Sequence, residues 1–203
     1  MDAYTHARIS VQHWGGQAAD YFPIHAYIDS TKELCSDNRH RILHTLWGVR
    51  RVVLPIFGPA IINSDGRTVN VKDICERDHI LPDYQNRFIP TLADFVQAIA
   101  FPDTAALKAR IDTFHQRYAA DPAITELLLS PLAVTGRVSA LLITHNSWFV
   151  NAIIPQILGR PPQIMDFALD PRDLFTRMRF ELWMDNGAGD PPSAAGVRRP
   201  HQE

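Results

Sequence analysis

The sequence has few cysteines, no excess of positive charge and no uninterrupted apolar run of membrane-spanning length. Its two thiols among 203 residues are Cys35 and Cys75, and neither belongs to a C-x-x-C pair. A disulfide framework is therefore not expected, and a reducing, cytoplasmic compartment fits the chain best. The formal net charge is −2, so composition alone gives no electrostatic reason to expect nucleic-acid binding.

The most apolar stretch, residues 139–159, is interrupted by polar side chains such as His145, Asn146 and Asn151. A membrane span would have to bury these groups in hydrocarbon, at a large cost in free energy. Residues 1–16 also lack the basic start and apolar run of a signal peptide. We therefore expect residues 139–159 to form part of a core, and we expect no membrane association.

Apolar residues at helical spacing predict a mainly α-helical N-terminal half. A first helix over 3–13 should end at Gly15-Gly16, and a second should begin at Pro23 and run to residue 35. A third helix is predicted over 39–54, because a polar turn precedes it and Pro55 follows it.

One β-hairpin is predicted over residues 60–71, where two short β-rich runs flank Asp65-Gly66. The next segment should be a short helix broken at Pro82, and Thr91 should cap a helix over 91–99.

The second half also reads as helical, over 103–121 and again after the Asp121-Pro122 pair. Residues 171–185 carry both helical and strand-like spacing, and their flanking residues favour a helix. We recognise no internal repeat. The predicted organisation is a histidine-rich helical domain with the hairpin, a helical extension of unknown role and a disordered tail, over residues 1–100, 101–185 and 186–203.

Histidine is abundant, with nine residues, of which six fall within the first 80. His40 and His44 lie four residues apart in the predicted third helix, at the border of its apolar face. His25 and Asp29 have the same spacing in the preceding helix. Because a short turn joins two helices that should be antiparallel neighbours, both pairs are expected to face one cleft.

Two interpretations of these residues stay open. Imidazole and carboxylate groups on neighbouring helical faces can bind one Zn, Mn or Fe ion. His79, with Asp78 or Asp83 nearby, could complete the set, and His6 is a further candidate. Alternatively, such pairs are border residues hydrogen-bonded to carboxylates, backbone or water. The candidate metal ligands or their supporting partners are His25, Asp29, His40, His44 and His79.

Arginines crowd the same predicted helix at Arg39, Arg41, Arg50 and Arg51. Positive charge opposes a bare metal site but suits a phosphate-bearing ligand, which Arg41 or Arg51 would contact. The alternative is a solvated flank whose aliphatic stems pack on the core.

Six segments in a fixed order resemble a bacterial and phage family that is a domain of unknown function: HARISVQHWGG, DYFPIH, DNRHRILH, FGPAIINSDGRTVNV, ERDHILPDY and IPTLADF. The similarity covers residues 5–98 and implies no established activity. Thr45 stands where the family often has a second histidine, and Phe95 where tryptophan is common. The residues that fall on the family pattern are His6, Asp20, His25, Asp29, Lys32, Asp37, His40, Arg41, His44, Asp65, Gly66, His79 and Asp83.

The leading hypothesis is a metal-binding helical domain that acts as a hydrolase on a phosphate-bearing substrate. The alternative is a non-enzymatic phage or mobile-element accessory protein with structural histidines, whose C-terminal half docks a protein partner. A third hypothesis is an RNA- or nucleotide-binding module built on the arginine-rich helix. The sequence does not decide whether the protein is an enzyme.

Overall fold

The structure is a computed structural model that describes residues 1–101, 103–118, 121–160, 162 and 169–194. It confirms the predicted class, because these residues are mainly helical and contain a single two-stranded antiparallel hairpin. None of the helices in these ranges is both long enough and apolar enough to cross a membrane.

The first two helices, Ala3–Trp14 and Ala18–Ile28, pack directly against each other. The predicted start of the second helix at Pro23 is wrong. That helix begins five residues earlier, because Gln17 and Asp20 form a reciprocal capping box. It also ends well before residue 35 and is followed by a short 3₁₀-helix, Ser30–Glu33.

The predicted single α-helix over 39–54 is also wrong. A 3₁₀-helix, Asn38–Leu43, ends at His44, whose backbone leaves the helical conformation. Thr45 then caps a new helical stretch through its hydroxyl, which accepts a hydrogen bond from the Gly48 amide at 3.0 Å. His40 and His44 are therefore not two residues on one face of an α-helix.

The hairpin pairs Ala60–Ile62 with Thr68–Asn70, within the predicted range. A continuous helical stretch follows directly over 71–83. The helix contains Pro82 and ends one residue later, at Asp83, close to the predicted break.

A wide π-helical turn precedes a proline at three places, and each proline is the second residue of the α turn that follows. The π turns are Val49–Val53, Ile74–Ile80 and Phe149–Ile153, and the prolines are Pro55, Pro82 and Pro155. A proline has no N–H to donate and its ring clashes with the carbonyl one turn back. The wider turn relieves both problems, so these helices continue where the sequence indicates an end.

The remaining described helices include both elements predicted over 91–121. Thr91 and Asp94 form the expected capping box of Leu92–Ala98. The stretch 171–185 is an α-helix up to Arg177 and a 3₁₀-helix at Leu182–Met184, and between them Met178 forms an isolated bridge to Ile99. The helices are Leu92–Ala98, Thr104–Tyr118, Pro122–Thr135, Val138–Ile143, Ile154–Leu158, Pro171–Arg177 and Leu182–Met184.

Residues 38–58 and 138–159 follow the same sequence of local structures. Each begins with a six-residue 3₁₀-helix, continues through a capped α turn and a π turn, and ends in a proline-containing α turn before a glycine. The helices Ala3–Trp14 and Thr104–Tyr118 both carry the pattern A-R-I-x-x-x-H, which ends at His13 and His115. The structure thus shows a repeat of about 101 residues that the sequence, with few identities, did not reveal.

The two repeated segments meet in the core. The rings of Trp47 and Phe149 stack with centroids 6.2 Å apart, and Trp47 Nε1 donates a hydrogen bond to Ser130 Oγ at 3.0 Å. Both aromatic rings are buried, so this contact removes a large apolar area from water.

The described part of the predicted tail, residues 186–194, lies against the helical body. Arg87 donates hydrogen bonds to the Gly187 carbonyl and to the Asp190 carboxylate. Ser193 Oγ donates to Asp94 at 2.7 Å. Residues 195–203, also predicted as tail, lie outside the described residues.

Candidate metal centre

Four side chains from three chain segments converge in the N-terminal half. Asp29 caps the end of the second helix, and His44 follows the 3₁₀-helix Asn38–Leu43. His79 lies in the π turn of the stretch 71–83, and Asp83 lies one turn later. One ligand atom from each of these residues lies within 4.8 Å of the other three, and all four side chains are buried.

The separations between imidazole nitrogens and carboxylate oxygens in this group are longer than those of strong hydrogen bonds. The Nε2 atoms of His44 and His79 are 3.0 Å apart. His44 Nε2 lies 3.4 Å from an oxygen of Asp29 and 3.3 Å from one of Asp83, and the corresponding distances from His79 Nε2 are 3.6 and 3.9 Å. Tetrahedral ligands with bonds of about 2.0–2.1 Å lie roughly 3.3–3.4 Å apart.

The charge states suit a metal ion. Burial would raise the pKa of Asp29, but the adjacent His44 and His79 rings outweigh burial and hold it below its usual value. The pKa of Asp83 is likewise held low, against burial, by the adjacent His44 and His6 rings and by Arg41. Burial places the pKa of His79 well below its ordinary value. Ionised carboxylates and a neutral imidazole are the forms that coordinate a cation.

A chain of hydrogen bonds runs from His79 to a second buried carboxylate, that of Asp78. His79 Nδ1 lies 3.0 Å from His25 Nδ1, and His25 Nε2 lies 3.0 Å from Ser10 Oγ. Ser10 Oγ donates its proton to Asp78 Oδ2 at 2.8 Å. Because the serine proton is used there, Ser10 accepts from His25 Nε2–H, and His25 Nδ1 in turn accepts from His79 Nδ1–H.

This directed chain fixes the tautomer of His79. With its proton on Nδ1, neutral His79 presents a bare lone pair on Nε2, towards His44, Asp29 and Asp83. Imidazole ligands in metal sites are oriented by such a second hydrogen bond. His44 Nδ1 has no hydrogen-bond partner in the described part of the chain, so no second hydrogen bond of this kind orients its ring.

Two further donors hold the carboxylate that ends this chain. Asp78 accepts hydrogen bonds from His13 Nδ1 at 2.6 Å and from Trp14 Nε1 at 2.7 Å. The backbone carbonyl of Asp78 accepts from His6 Nδ1 at 2.9 Å. His6 Nε2 then lies 3.2 Å from Asp83 Oδ1, so His6 connects Asp78 to the converging group.

The five residues predicted from spacing lie at different depths in this site. Asp29, His44 and His79 belong to the converging group. His25 instead contacts His79 at Nδ1, the ring nitrogen that does not face the other ligands. His40 Nδ1 donates to the Asp37 carbonyl at 2.6 Å, and its Nε2 has no partner among the described residues.

Asp83 belongs to the group, and it was one of two carboxylates beside His79 that the sequence offered to complete the set. The other, Asp78, is not in the group and ends the hydrogen-bond chain instead. Ser10 carried no signal, because helical spacing does not bring residues 10 and 78 together.

The two arginines predicted to bind an anion lie in different environments. Arg41 is buried, with Nη2 at 3.4 Å from Asp83 and 3.0 Å from Asn186 Oδ1. Arg51 is exposed and forms an ion pair with Glu126 at 3.2 Å. Arg41 therefore offsets part of the negative charge of the cluster, and an anion-binding role for either residue stays a prediction.

Comparison with known proteins identifies the family. No curated protein and no solved structure matches the chain. The family model described as domain of unknown function DUF6915 matches residues 1–105. That range contains all four converging residues and covers half of the chain, in agreement with the resemblance found in the sequence. The chain belongs to the DUF6915 family.

Proposed function

We propose that this protein is a metal-binding helical protein in which Asp29, His44, His79 and Asp83 hold one divalent ion. The observation that carries the proposal is the buried convergence of two carboxylates and two imidazole Nε2 atoms within 4.8 Å. Such an N₂O₂ set suits Zn, Mn or Fe. The ion would tie together three segments that are distant in sequence, which stabilises the fold.

A purely hydrogen-bonded cluster accounts less well for the same atoms. The Asp78 chain leaves His79 Nε2 as an acceptor, so neutral His44 has one Nε2 proton to share among His79 and both carboxylates. Asp29 Oδ1 has no hydrogen-bond donor within the described residues. A buried polar atom without a partner costs about 1–3 kcal/mol, and a cation among these acceptors removes that cost.

Burial of the four residues favours a closed site over one that exchanges substrate. Asp29 is 7% exposed, Asp83 is 4% exposed, and His44 and His79 are fully buried. Structural metal sites have four protein ligands, whereas catalytic sites keep one position open. The geometry thus supports metal binding first, and hydrolysis requires rearrangement or a position left open by one of the four.

Metal analysis of protein purified without a histidine tag tests the proposal. We expect about one equivalent of Zn, Mn or Fe per chain, lost on replacement of His44 or His79. Less than about a tenth of an equivalent, unchanged after incubation with each of these ions, would contradict it. In that outcome the histidines are structural, and the non-enzymatic interaction protein becomes the better hypothesis.

We propose as a second candidate function that the bound ion supports hydrolysis of a phosphate-bearing substrate. A cavity of about 500 Å³ is lined in part by His13, Arg77 and Met1, and the Met1 amino group lies 2.8 Å from Asp83 Oδ1. His13 contacts Asp78, so this basic cavity borders the hydrogen-bond chain that ends at His79. A bound ion would supply an activated water at neutral pH, and Arg77 would pair with the phosphate.

Hydrolysis assays separate this second function from metal binding alone. Metal-loaded protein should release phosphate from generic phosphomonoesters or phosphodiesters, and Arg77→Ala should raise KM about tenfold with little change in kcat. His44→Ala should abolish the activity. A fully loaded protein that hydrolyses neither class of ester would contradict the hydrolase and leave the metal-binding proposal intact.

A further inference from the structure

The structural repeat places a second histidine where the first copy has a metal-ligand candidate. His44 immediately precedes Thr45, whose hydroxyl caps the following α turn. His145 immediately precedes Asn146, whose side-chain oxygen accepts from the Phe149 amide at 3.1 Å and caps the corresponding turn. In both copies a tryptophan follows the histidine by three residues.

His145 meets another histidine at this position. Its Nε2 lies 2.9 Å from Nε2 of His115, which projects from the helix Thr104–Tyr118. His145 is 1% exposed, whereas His115 is half-buried. The pair thus has one imidazole anchored in the core and one that solvent can reach.

Hydrogen bonding fixes the tautomer of the buried member. Nδ1 of His145 lies 3.1 Å from the Leu141 carbonyl, which can only accept, so this nitrogen carries the proton. Thr144 Oγ1, at 3.2 Å, also accepts, because its own proton is donated to the Leu128 carbonyl at 2.6 Å. His145 Nε2 is therefore a bare lone pair directed at His115.

We propose that His115 and His145 form a second site for a borderline divalent ion such as Zn²⁺. The backbone orients His145 as second hydrogen bonds orient imidazole ligands in metal sites. Rotation of the half-buried His115 turns its own lone pair towards the same point, and water completes the coordination from the solvent side. With two protein ligands, this site binds more weakly than the four-ligand cluster.

Equilibrium dialysis of the full chain against Zn²⁺ tests the site. At about 50 µM free Zn²⁺, His115→Ala should bind one equivalent less than the wild type. Gln116→Ala, an exposed position on the same helix, is the matched control and should bind as much as the wild type. This difference is independent of how much Zn²⁺ the four-ligand cluster retains, so either proposal can fail alone.

The variants of His145 decide between one shared site and two unrelated ones. His145→Gln and the double variant His115→Ala/His145→Gln should each also lose one equivalent, because both imidazoles hold the same ion. Unchanged stoichiometry in His115→Ala would overturn the proposal. Loss of two equivalents in the double variant would also overturn it, because the histidines would then bind separate adventitious ions. If His145→Gln does not fold, His115→Ala against Gln116→Ala remains decisive.

Discussion

The Nε2 atoms of His44 and His79 lie 3.0 Å apart, although 35 residues separate them in the sequence. His44 is placed there by the end of a 3₁₀-helix, and His79 by a π-helical turn. Their meeting point also receives the carboxylates of Asp29 and Asp83. The site thus depends on irregular helical turns, and each of its parts can be tested separately.

Replacement of His44 should weaken metal binding more than replacement of His40. We expect His44→Ala to remove most of the bound metal, because one of four ligands is lost, and His40→Ala to retain most of it. Metal content after dialysis measures the difference. Equal losses in both variants would show that His40 is itself a ligand.

Removal of the metal should lower the stability of the protein. An ion present at 100 times its dissociation constant contributes about 2.7 kcal/mol to the free energy of unfolding. For a chain of this size, EDTA should therefore lower Tm by about 5–10 °C, measured by circular dichroism. Addition of Zn²⁺ should restore Tm, and a Tm indifferent to EDTA in protein shown to contain metal would contradict the proposed role.

Asp78→Asn should weaken metal binding although Asp78 is not a ligand. The amide can donate to Ser10, which reverses the hydrogen-bond chain and moves a proton to His79 Nε2. Changes in the hydrogen-bond partners of a metal ligand typically reduce metal affinity about 10–100-fold. Asp73→Asn, on the same helical stretch, is the control, and competition with a chelating dye measures both affinities. Equal affinities in the two variants would show that the chain does not orient His79.

Gly48→Ala should disturb the fold beside His44. A Cβ atom at Gly48 would lie 2.4 Å from the Leu43 carbonyl oxygen, and Leu43 directly precedes His44. We expect a loss of about 1–3 kcal/mol in the free energy of unfolding, together with reduced metal content. Arg50→Ala, exposed in the following turn, should change neither quantity, and urea unfolding of both variants provides the test.

As pH falls, the metal-free protein should lose stability at pH values well above the pKa of its carboxyl groups. Burial lowers the pKa of His25 and of His145 to about 3, against roughly 6.5 in an unfolded chain. Between these values the unfolded state binds more protons, so the free energy of unfolding falls as pH falls, by about 1.4 kcal/mol per pH unit for each histidine. Urea unfolding at pH 7 and pH 5 measures this slope, which His145→Gln should reduce. A stability that does not change over this interval would contradict the buried, neutral state of both rings.

Elements with local signals were predictable from the sequence. Asp65-Gly66 indicated the hairpin, and Thr91 with Asp94 indicated a helix start, because turn and cap chemistry acts over three or four residues. Pro23 misled the prediction of a helix start, and Pro55 misled that of a helix end. Whether a helix tolerates a proline depends on a distant cap or on a widened turn, and neither is visible in the local pattern.

For the site, the sequence predicted several of the residues that take part but not their arrangement. Pairs at a spacing of four singled out Asp29 and His44, and the segment around His79 offered His79 with Asp83, yet the assumed α-helix that paired His40 with His44 does not exist. The chain from Ser10 to Asp78 emerges only when the first helix packs against the stretch 71–83. Likewise, His115 and His145 become partners through the packing of the second repeat.

Composition, periodicity and local capping specify the helical class, the hairpin and the number of imidazole and carboxylate groups. Which of those groups meet depends on how distant segments pack. Side chains that are 35 or 68 residues apart are brought together by packing of distant segments. The tautomers of the histidines are likewise fixed by hydrogen bonds between those segments. The sequence alone therefore does not distinguish metal ligands from the residues that support them or from histidines outside the site.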